Sequence, residues 1–308
     1  MNVKELLKDH PAWLEHLESR DGIDLALPAD LPSALLRLAV PHEDVNAVVA
    51  ARPEPGGPLW WLAERCVHSL VSTMGSLDGP PPFPALPGLG PYFYVYVYLA
   101  TLPHTRRYHR ELGIPEEVSW ATFADLGRNM AVHRKRHGTG GLHAPHWFML
   151  HARGLLYELG RLQFNRGRFG GTGVAGVPAE RGDMALDVHV PDFRGPLSPE
   201  ACDASFEQAR RFFPRHFPQE DYRVVTCMSW LLDEQLAGYL PADSNIVAFQ
   251  RRFHPLDRFE GGDMLSFVFG AAAADPARLP RRTRLERAVA DHLAAGGTWY
   301  GRLGWLSF

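Results

Sequence analysis

Hydrophobic positions in the first part of the chain recur at three- and four-residue spacing, the period of an amphipathic helix. This pattern covers residues 3–19, with an interruption expected near Pro11, and then residues 58–74 and 115–137. The last two segments each begin with proline and end just before a glycine, as helices often do. The pattern therefore predicts a helical N-terminal part.

Residues 92–100, YFYVYVYLA, fit two structures. Their aromatic and β-branched side chains are typical of a strand, whereas their length also permits a buried helix. The helical segments on both sides favour the helix. The proline-rich segment 75–91 that precedes them is predicted to be a long loop, because its prolines exclude both a helix interior and a central strand.

The pattern changes after residues 139–146, where two glycines and a proline break the helical period. Beyond this hinge, strands alternate with helices. Strands are predicted at 155–166, 184–191, 222–232, 264–270 and 297–308, and helices at 199–213, 243–253 and 279–296. This order predicts a mixed sheet with helices on its faces. The fold class is therefore α+β, with a helical domain over residues 1–140 and a sheet domain over residues 141–308.

Composition narrows the function. The chain has 308 residues, a net charge of -3, and three cysteines that form no CxxC pair. We expect a cytoplasmic protein without disulfides that binds neither nucleic acid nor a membrane. Fifteen histidines invite a metal site, yet His133 and His137 flank three basic residues and no HExxH motif occurs, so none is predicted.

The strand MALDVHVP, residues 184–191, carries the first candidate chemistry. Alternation places Asp187 and His189 on one face of the strand and its aliphatic side chains on the other. A carboxylate and an imidazole that face the same way suit proton transfer. The alternative is that both simply face solvent on a half-exposed strand.

This strand and three later segments, GPLSPEACDASFEQARRFFPRHFP, VVTCMSWLLDEQL and SNIVAFQRRF, resemble proteins that join a helical N-terminal acyltransferase domain to a GNAT-like C-terminal domain. The resemblance covers nearly the whole chain. It implies that the strands 184–191 and 222–232 splay apart, so that the pantetheine arm of CoA enters between them. An acyl thioester would there meet an acceptor amine.

The resemblance also implies which residues bind CoA. Val188 and Val190 would offer the strand edge to pantetheine. The segment DFRGPLS would hold the pyrophosphate through Arg194, Gly195, Leu197 and Ser198. Asn245 and Phe249, in the helix after the next strand, would face the pantetheine arm.

The chain departs from the family pattern in three places. DFRGPLS lacks the glycine-rich fingerprint, and the formal match RFGGTG, residues 168–173, precedes the strand and is predicted to be a hairpin loop. The next helix carries Glu200 and Asp203 in its first turn, where they would repel a diphosphate. Arg252 stands near the position of an expected catalytic tyrosine. These departures favour, as the alternative, a non-catalytic GNAT-like module that binds a ligand or protein.

If the chain is an enzyme, His189 is the predicted general base. Asp187 would orient it, although two residues of rise put their backbones about 7 Å apart, too far for a direct hydrogen bond. Tyr300 and Ser229 are candidate proton donors to the leaving thiolate, and Cys227 is predicted to be a buried structural thiol.

The sequence therefore predicts a cytoplasmic acyltransferase of two domains that moves an acyl group from a thioester to an amine or hydroxyl of a small molecule. No tightly bound cofactor is expected. Acetyl-CoA or another acyl-CoA would be the cosubstrate, and an acyl carrier protein is the other donor that the sequence leaves open.

Overall fold

The computed structural model describes residues 3–84, 86–171, 176–260, 264–270 and 275–308. The chain forms two compact units, Met1–Glu158 and Leu159–Phe308. The division lies later than the expected one at residue 140, because the segment after the glycine-rich hinge continues the helical unit. No helix within the described ranges is long and apolar enough to cross a membrane.

The first unit is helical. Its helices are α1 (Val3–Leu6), α2 (Pro11–Glu18), α3 (Leu31–Arg37), α4 (His42–Ala50), α5 (Pro58–Val71), α6 (Phe93–Glu111), α7 (Glu116–Phe123), α8 (Asp125–His137) and α9 (Pro145–Ala152), with a 3-10 turn at Pro87–Leu89. Helix α6 lies at the centre, because every residue from Phe93 to Leu102 is buried. The ambiguous segment 92–100 is therefore helical, as predicted, and its aromatic residues form core.

The predicted helix 115–137 is two helices, α7 and α8, that meet at Ala124. The residues predicted to face inward are nevertheless buried on both: Val118, Phe123, Leu126, Met130 and Val132. Helix α8 ends where Gly138 adopts a left-handed conformation (φ 68°), which glycine adopts without steric cost.

The second unit is built on a six-stranded sheet with the order β1-β2-β3-β4-β6-β5. Its strands are β1 (Leu156–Leu159), which spans the division between the units, β2 (Leu162–Arg168), β3 (Met184–His189), β4 (Val224–Ser229), β5 (His254–Glu260) and β6 (Tyr300–Ser307). Its helices are α10 (Pro199–His216), α11 (Asn245–Gln250), α12 (Met264–Phe269) and α13 (Arg284–Ala294). Strands β3 and β4 are parallel, and β2·β3, β4·β6 and β5·β6 are antiparallel. The mixed sheet and the α+β class are as predicted.

Two sequence predictions for this unit were wrong, and one strand was missed. Residues 155–166 form two strands, β1 and β2, because Gly160 turns the chain in a left-handed conformation (φ 74°). Residues 264–270 form helix α12 instead of a strand. Strand β5 was missed altogether, since it lies at the edge of the sheet, is mostly exposed and contains Pro255.

The connections from β3 to α10 and from β4 to α11 set the position of the candidate site. Because β3 and β4 are parallel, their carboxyl ends lie at the same edge of the sheet. From that edge the chain runs to α10 after β3, and through two 3-10 turns, Trp230–Leu232 and Glu234–Gly238, to α11 after β4. In open sheets with parallel strands, ligands usually bind at this edge.

Candidate active site

Strands β3 and β4 part at their carboxyl ends. Their ladder pairs Leu186 with Val225 and Asp187 with Thr226, and it ends there. On its other side, β4 stays paired with β6 as far as Ser229, opposite Arg302. The strand edges beyond Asp187 and Thr226 therefore face a gap. This is the parting of strands that the family resemblance implied.

Asp187 and His189 lie on one face of β3, as the alternation predicted, and an asparagine of β2 connects them. Asn165 is directly opposite Asp187 in the β2–β3 ladder. Its Oδ1 accepts a hydrogen bond of 2.5 Å from Nε2 of His189, while its Nδ2 donates to Oδ2 of Asp187 at 3.2 Å. On the other side, the Thr226 hydroxyl donates to Oδ1 of Asp187. The four side chains form one continuous network across three strands.

The surroundings of Asp187 raise the pKa of its carboxyl above its ordinary value. Burial is the largest cause, and hydrogen bonds from Thr226 and Asn165 partly oppose it. Space for the carboxylate depends on Gly167, because a Cβ at that position would lie 2.8 Å from Oδ2 of Asp187. Two uncharged donors thus hold a carboxylate in a site shaped by a glycine.

Two large apolar side chains are exposed near the gap. Met228 is 70% exposed. It lies level with His189, because each of the two residues is two positions beyond the paired residues Asp187 and Thr226. Phe193, in the loop that follows β3, is 59% exposed and has a left-handed backbone (φ 59°). Exposed apolar groups beside an open strand edge are suited to an apolar ligand.

The loop from β3 to α10 is held by arginine contacts to its backbone. The Arg161 guanidinium donates to the carbonyl oxygens of Pro191 at 3.1 Å and Gly195 at 3.0 Å. Gly195 has φ 77°, so it makes the turn that the loop requires. Arg194 is exposed and donates to Gly160 O at 3.1 Å, whereas Leu197 is buried. Of the predicted pyrophosphate residues, Arg194 supplies exposed positive charge.

Of the two acids predicted for the first turn of α10, only Glu200 lies there, and Asp203 follows in the next turn. Ser198 caps the helix by accepting a hydrogen bond from the Ala201 N–H at 3.3 Å. Asp203 forms a 2.5 Å ion pair with Arg252, whose guanidinium also donates to Pro199 O at 3.0 Å. Arg252, which stands near the expected tyrosine position, thus neutralises one of the two acids.

The two predicted residues of α11 have different surroundings. Asn245 is half-buried in the first turn of the helix. Phe249 is 1% exposed and packs against Phe253 with ring centroids 5.1 Å apart. The ring of Phe249 therefore supports the helix from within and offers little surface to a ligand.

The two candidate proton donors, Tyr300 and Ser229, lie in different places. Strand β6, which carries Tyr300, is two strands away from β3, a separation of about 10 Å across the sheet. Leu303 is the residue of β6 opposite Met228, and Tyr300 lies three residues from Leu303, about 10 Å along the strand. That odd offset turns the phenol to the face opposite His189, where the Arg258 guanidinium lies 4.1 Å from its ring centroid. Ser229 ends β4 beside the gap, and its Oγ accepts a hydrogen bond from the Leu231 N–H at 3.1 Å. The structure therefore does not bring Tyr300 together with His189.

Three further sequence predictions concern this unit. Cys227 is buried, and desolvation, followed by the charge of Asp187, raises the pKa of its thiol to about 12, so it stays protonated. Residues 172–173 of the RFGGTG motif lie outside the described residues. Among the described residues, no group of three or more His, Cys, Asp or Glu side chains could hold a metal ion.

A cavity of about 810 Å³, lined in part by Arg168 and Met184, lies at the amino end of β3, away from His189.

Asn165 and Thr226 were not predicted from the sequence. Each faces Asp187 from a neighbouring strand, and neither belongs to a motif. Of the two, only Asn165 has a usable signal, because asparagine is depleted in strands and β2 is otherwise a strand-like run.

Comparison with known proteins gives the same architecture. A family model described as the N-acyltransferase N-terminal domain matches residues 29–154, and one described as the GNAT-like C-terminal domain matches residues 156–306. No curated protein matches the chain.

Solved structures match over the full length. An acyltransferase in complex with decanoyl-CoA and teicoplanin is 40% identical, with a TM-score of 0.88, over 100% of this chain and 99% of that chain. A structure of an acyltransferase with decanoyl-CoA is 39% identical, with a TM-score of 0.87, over 100% of both chains. A third, with CoA and 10C-teicoplanin, is 39% identical, with a TM-score of 0.87, over 100% of this chain and 99% of that one.

The two family models together account for both units, and the solved relatives are similar over both. The chain belongs to the family of N-acyltransferases that combine a helical N-terminal domain with a GNAT-like C-terminal domain.

Proposed function

We propose that the protein transfers an acyl group from acyl-CoA to an amine of a small molecule, within the gap between β3 and β4. The observation that carries the proposal is the end of the β3–β4 ladder at Asp187 and Thr226, immediately before His189. Similar structures that contain decanoyl-CoA or CoA support acyl-CoA as the donor. Medium-length acyl chains are the first candidates for the same reason.

The residues around the gap suggest how CoA would be held. The backbone of Val188 and Val190 continues the strand edge and would bind the amide groups of pantetheine, with Asn245 facing the arm and Phe249 supporting its helix. Arg194, the turn at Gly195, the backbone at Leu197 and the Ser198 end of α10 would receive the pyrophosphate. The ion pair of Arg252 with Asp203 supports this arrangement, because it removes charge that would repel phosphate.

The proposed chemistry uses His189 as the base. The acceptor nitrogen attacks the thioester carbonyl, and His189 takes a proton from that nitrogen as the carbon–nitrogen bond forms. The carbon–sulfur bond then breaks, and the CoA thiolate takes a proton. Ser229, beside the gap, is better placed for that donation than Tyr300. The products are an N-acyl acceptor and free CoA, and Met228 and Phe193 would contact the acyl chain.

The first acceptor to test is a teicoplanin-type glycopeptide, because two of the similar structures contain teicoplanin or 10C-teicoplanin. The departures of the phosphate loop from the family pattern keep a non-catalytic acyl-CoA-binding module as the second candidate. Acyl-CoA binding alone does not separate the two, whereas turnover does.

The test measures binding and turnover on the same protein. Unfolding is followed with acetyl-, octanoyl- and decanoyl-CoA, and a ligand at 100 times its Kd should stabilise the fold by about 2.7 kcal/mol. Turnover is followed as CoA release and as acylated teicoplanin by mass spectrometry. Stabilisation without CoA release from any acyl-CoA, with amine acceptors supplied, would favour the binding module. The absence of both would contradict the acyl-CoA proposal.

A further inference from the structure

The side-chain amide of Asn165 has one orientation. Its Nδ2 donates to the backbone carbonyl of Arg166 at 3.2 Å and to Oδ2 of Asp187 at 3.2 Å. A backbone carbonyl accepts hydrogen bonds at every pH, so the contact with Arg166 fixes the nitrogen on that side whether or not Asp187 is ionised. The amide oxygen must then point toward His189.

This orientation determines the tautomer of His189. Oδ1 of Asn165 can only accept a hydrogen bond, and Nε2 of His189 lies 2.5 Å from it. Nε2 must therefore carry the ring proton. Because a neutral imidazole has a single ring proton, its basic lone pair is on Nδ1.

We propose that Asn165 is a positioning residue for the acyl transfer: it holds neutral His189 in the Nε2-protonated form, so that the proton released by the acceptor amine arrives at Nδ1. The inference rests on the proposed function, in which His189 is the base. Nothing in the family resemblance or in the sequence motifs points to Asn165.

Asn165 also connects the charge of Asp187 to His189. The amide places its oxygen toward the imidazole and its nitrogen toward the carboxylate, so its dipole is aligned with the pair formed by a protonated imidazole and an ionised carboxylate. The Thr226 hydroxyl holds the far oxygen of Asp187 in place. Asp187 can thus stabilise a protonated His189 through Asn165, although the separation of about 7 Å along β3 prevents a direct hydrogen bond.

The tautomer is measured directly, without any assay of activity. The full-length protein is labelled with ¹⁵N in its histidine rings, and long-range ¹H–¹⁵N spectra identify the protonated nitrogen; the signals of His189 are those missing in His189→Gln. The wild type should have the Nε2-protonated form. Asn165→Asp should keep it, because a carboxylate oxygen also accepts from Nε2, whereas Asn165→Ala should have a mixture of tautomers.

Kinetics then separate positioning from a merely structural role. Asn165→Ala should lower kcat by about 10- to 100-fold, as losses of positioning contacts commonly do, and leave KM for acyl-CoA unchanged. The matched control is Asn46→Ala on helix α4, an exposed asparagine of the helical unit, which should change neither kcat nor the His189 spectrum.

Two results would overturn the inference. One is a wild-type His189 protonated on Nδ1. The other is Asn165→Ala with the wild-type tautomer and kcat. If Asn165→Ala does not fold, the wild-type and Asn165→Asp spectra decide, and an Nδ1-protonated ring in either contradicts the proposal. A wild type that releases no CoA would defeat the proposed function instead, and the spectra would still establish whether Asn165 sets the ring proton.

Discussion

Both units contain an aspartate and a histidine connected through buried contacts, yet the two arrangements differ in charge and exposure. In the helical unit, His151 is fully buried with Nε2 3.1 Å from Oδ2 of Asp125, and the Arg128 guanidinium binds Asp125 and Glu158. In the sheet unit, His189 is half-buried beside a strand gap, and Asp187 is held by the uncharged donors Thr226 and Asn165.

The pKa values of the two aspartates are shifted in opposite directions. Burial alone would raise the pKa of Asp125, but hydrogen bonds and charges from His151 and Arg128 outweigh it and hold the pKa well below its usual range. Burial raises the pKa of Asp187, and its two neutral donors only partly oppose the shift. Asp125 thus belongs to a buried cluster in which ion pairs stabilise its ionised form. A proton-transfer site needs a different combination: a carboxylate whose burial is only partly offset by hydrogen bonds, and an accessible imidazole.

The largest expected effect is on turnover. His189→Ala should lower kcat/KM for acyl transfer by about 10³-fold, within the range that a general base contributes. The folded structure should be kept, because the side chain lies at a strand end. CoA release measures the effect, and His42→Ala, which alters an exposed histidine at the start of α4, serves as the control. Equal activity of the two variants would contradict the assignment of the base.

Asp125→Ala should act on stability and not on chemistry. Removal of one partner from a buried ion pair leaves the other charges unmatched, which commonly costs about 3 kcal/mol or more. Urea unfolding measures the loss, and kcat per folded molecule should stay at the wild-type value. A loss below about 1 kcal/mol, or a selective loss of kcat, would show that the two clusters are less distinct than their contacts indicate.

A smaller effect is expected from pH. Burial, followed by the charge of Arg106, lowers the pKa of His109 to about 3, whereas its ordinary value is 6.5. The unfolded chain therefore binds a proton near pH 6.5 that the folded protein excludes until about pH 3, so stability is full above pH 6.5 and decreases as the pH falls toward 3. Between pH 7.5 and 5.5 this group should remove about 1.4 kcal/mol.

Urea unfolding of the wild type and of His109→Gln at both pH values isolates the contribution of His109. Glutamine can keep a hydrogen bond to Ser119, which lies 2.9 Å from Nδ1 of His109. The variant should lose less stability on acidification than the wild type. Equal losses in the two proteins would mean that His109 is protonated in the folded state.

The smallest expected effect compares two helix caps of the sheet unit. Ser198 caps α10 at the proposed pyrophosphate site, and Thr283 caps α13 in a capping box with Glu286. Substitution of either by alanine should cost about 1 kcal/mol of stability. Ser198→Ala alone should also reduce the thermal stabilisation by acyl-CoA. Equal stabilisation of the two variants would place the phosphate elsewhere.

The sequence predicted those parts of the fold that have a strong local signal. Helix α5 and strand β3 both have it, because each carries a continuous apolar face, whereas residues 92–100 were predicted to be helical from the segments on both sides. Strand β5 has no such signal, since an exposed edge strand needs few apolar residues. The β1–β2 turn was hidden because alternation continues on both sides of Gly160. The short apolar run of α12 is compatible with either structure.

For the site, the residues of a single strand were predictable from the sequence, whereas their neighbours on other strands were not. Asp187 and His189 are two residues apart, so alternation alone puts them on one face. Asn165 and Thr226 reach Asp187 through strand pairings with residues 22 and 39 positions away in the chain. Register between distant strands is fixed by the folded sheet, and no local pattern specifies it.

Strand β4 is paired with β6 over a longer stretch than with β3, and this difference affects how quickly a ligand can associate. Its residues beyond Thr226 lack a β3 partner but remain hydrogen-bonded to β6 up to Ser229. One wall of the gap is therefore rigid before any donor arrives, and association does not have to wait for a disordered segment to form a strand. Hydrogen exchange at the Cys227 amide, whose position in the ladder directs its N–H toward β6, should accordingly be as slow in the apo protein as in the acyl-CoA complex.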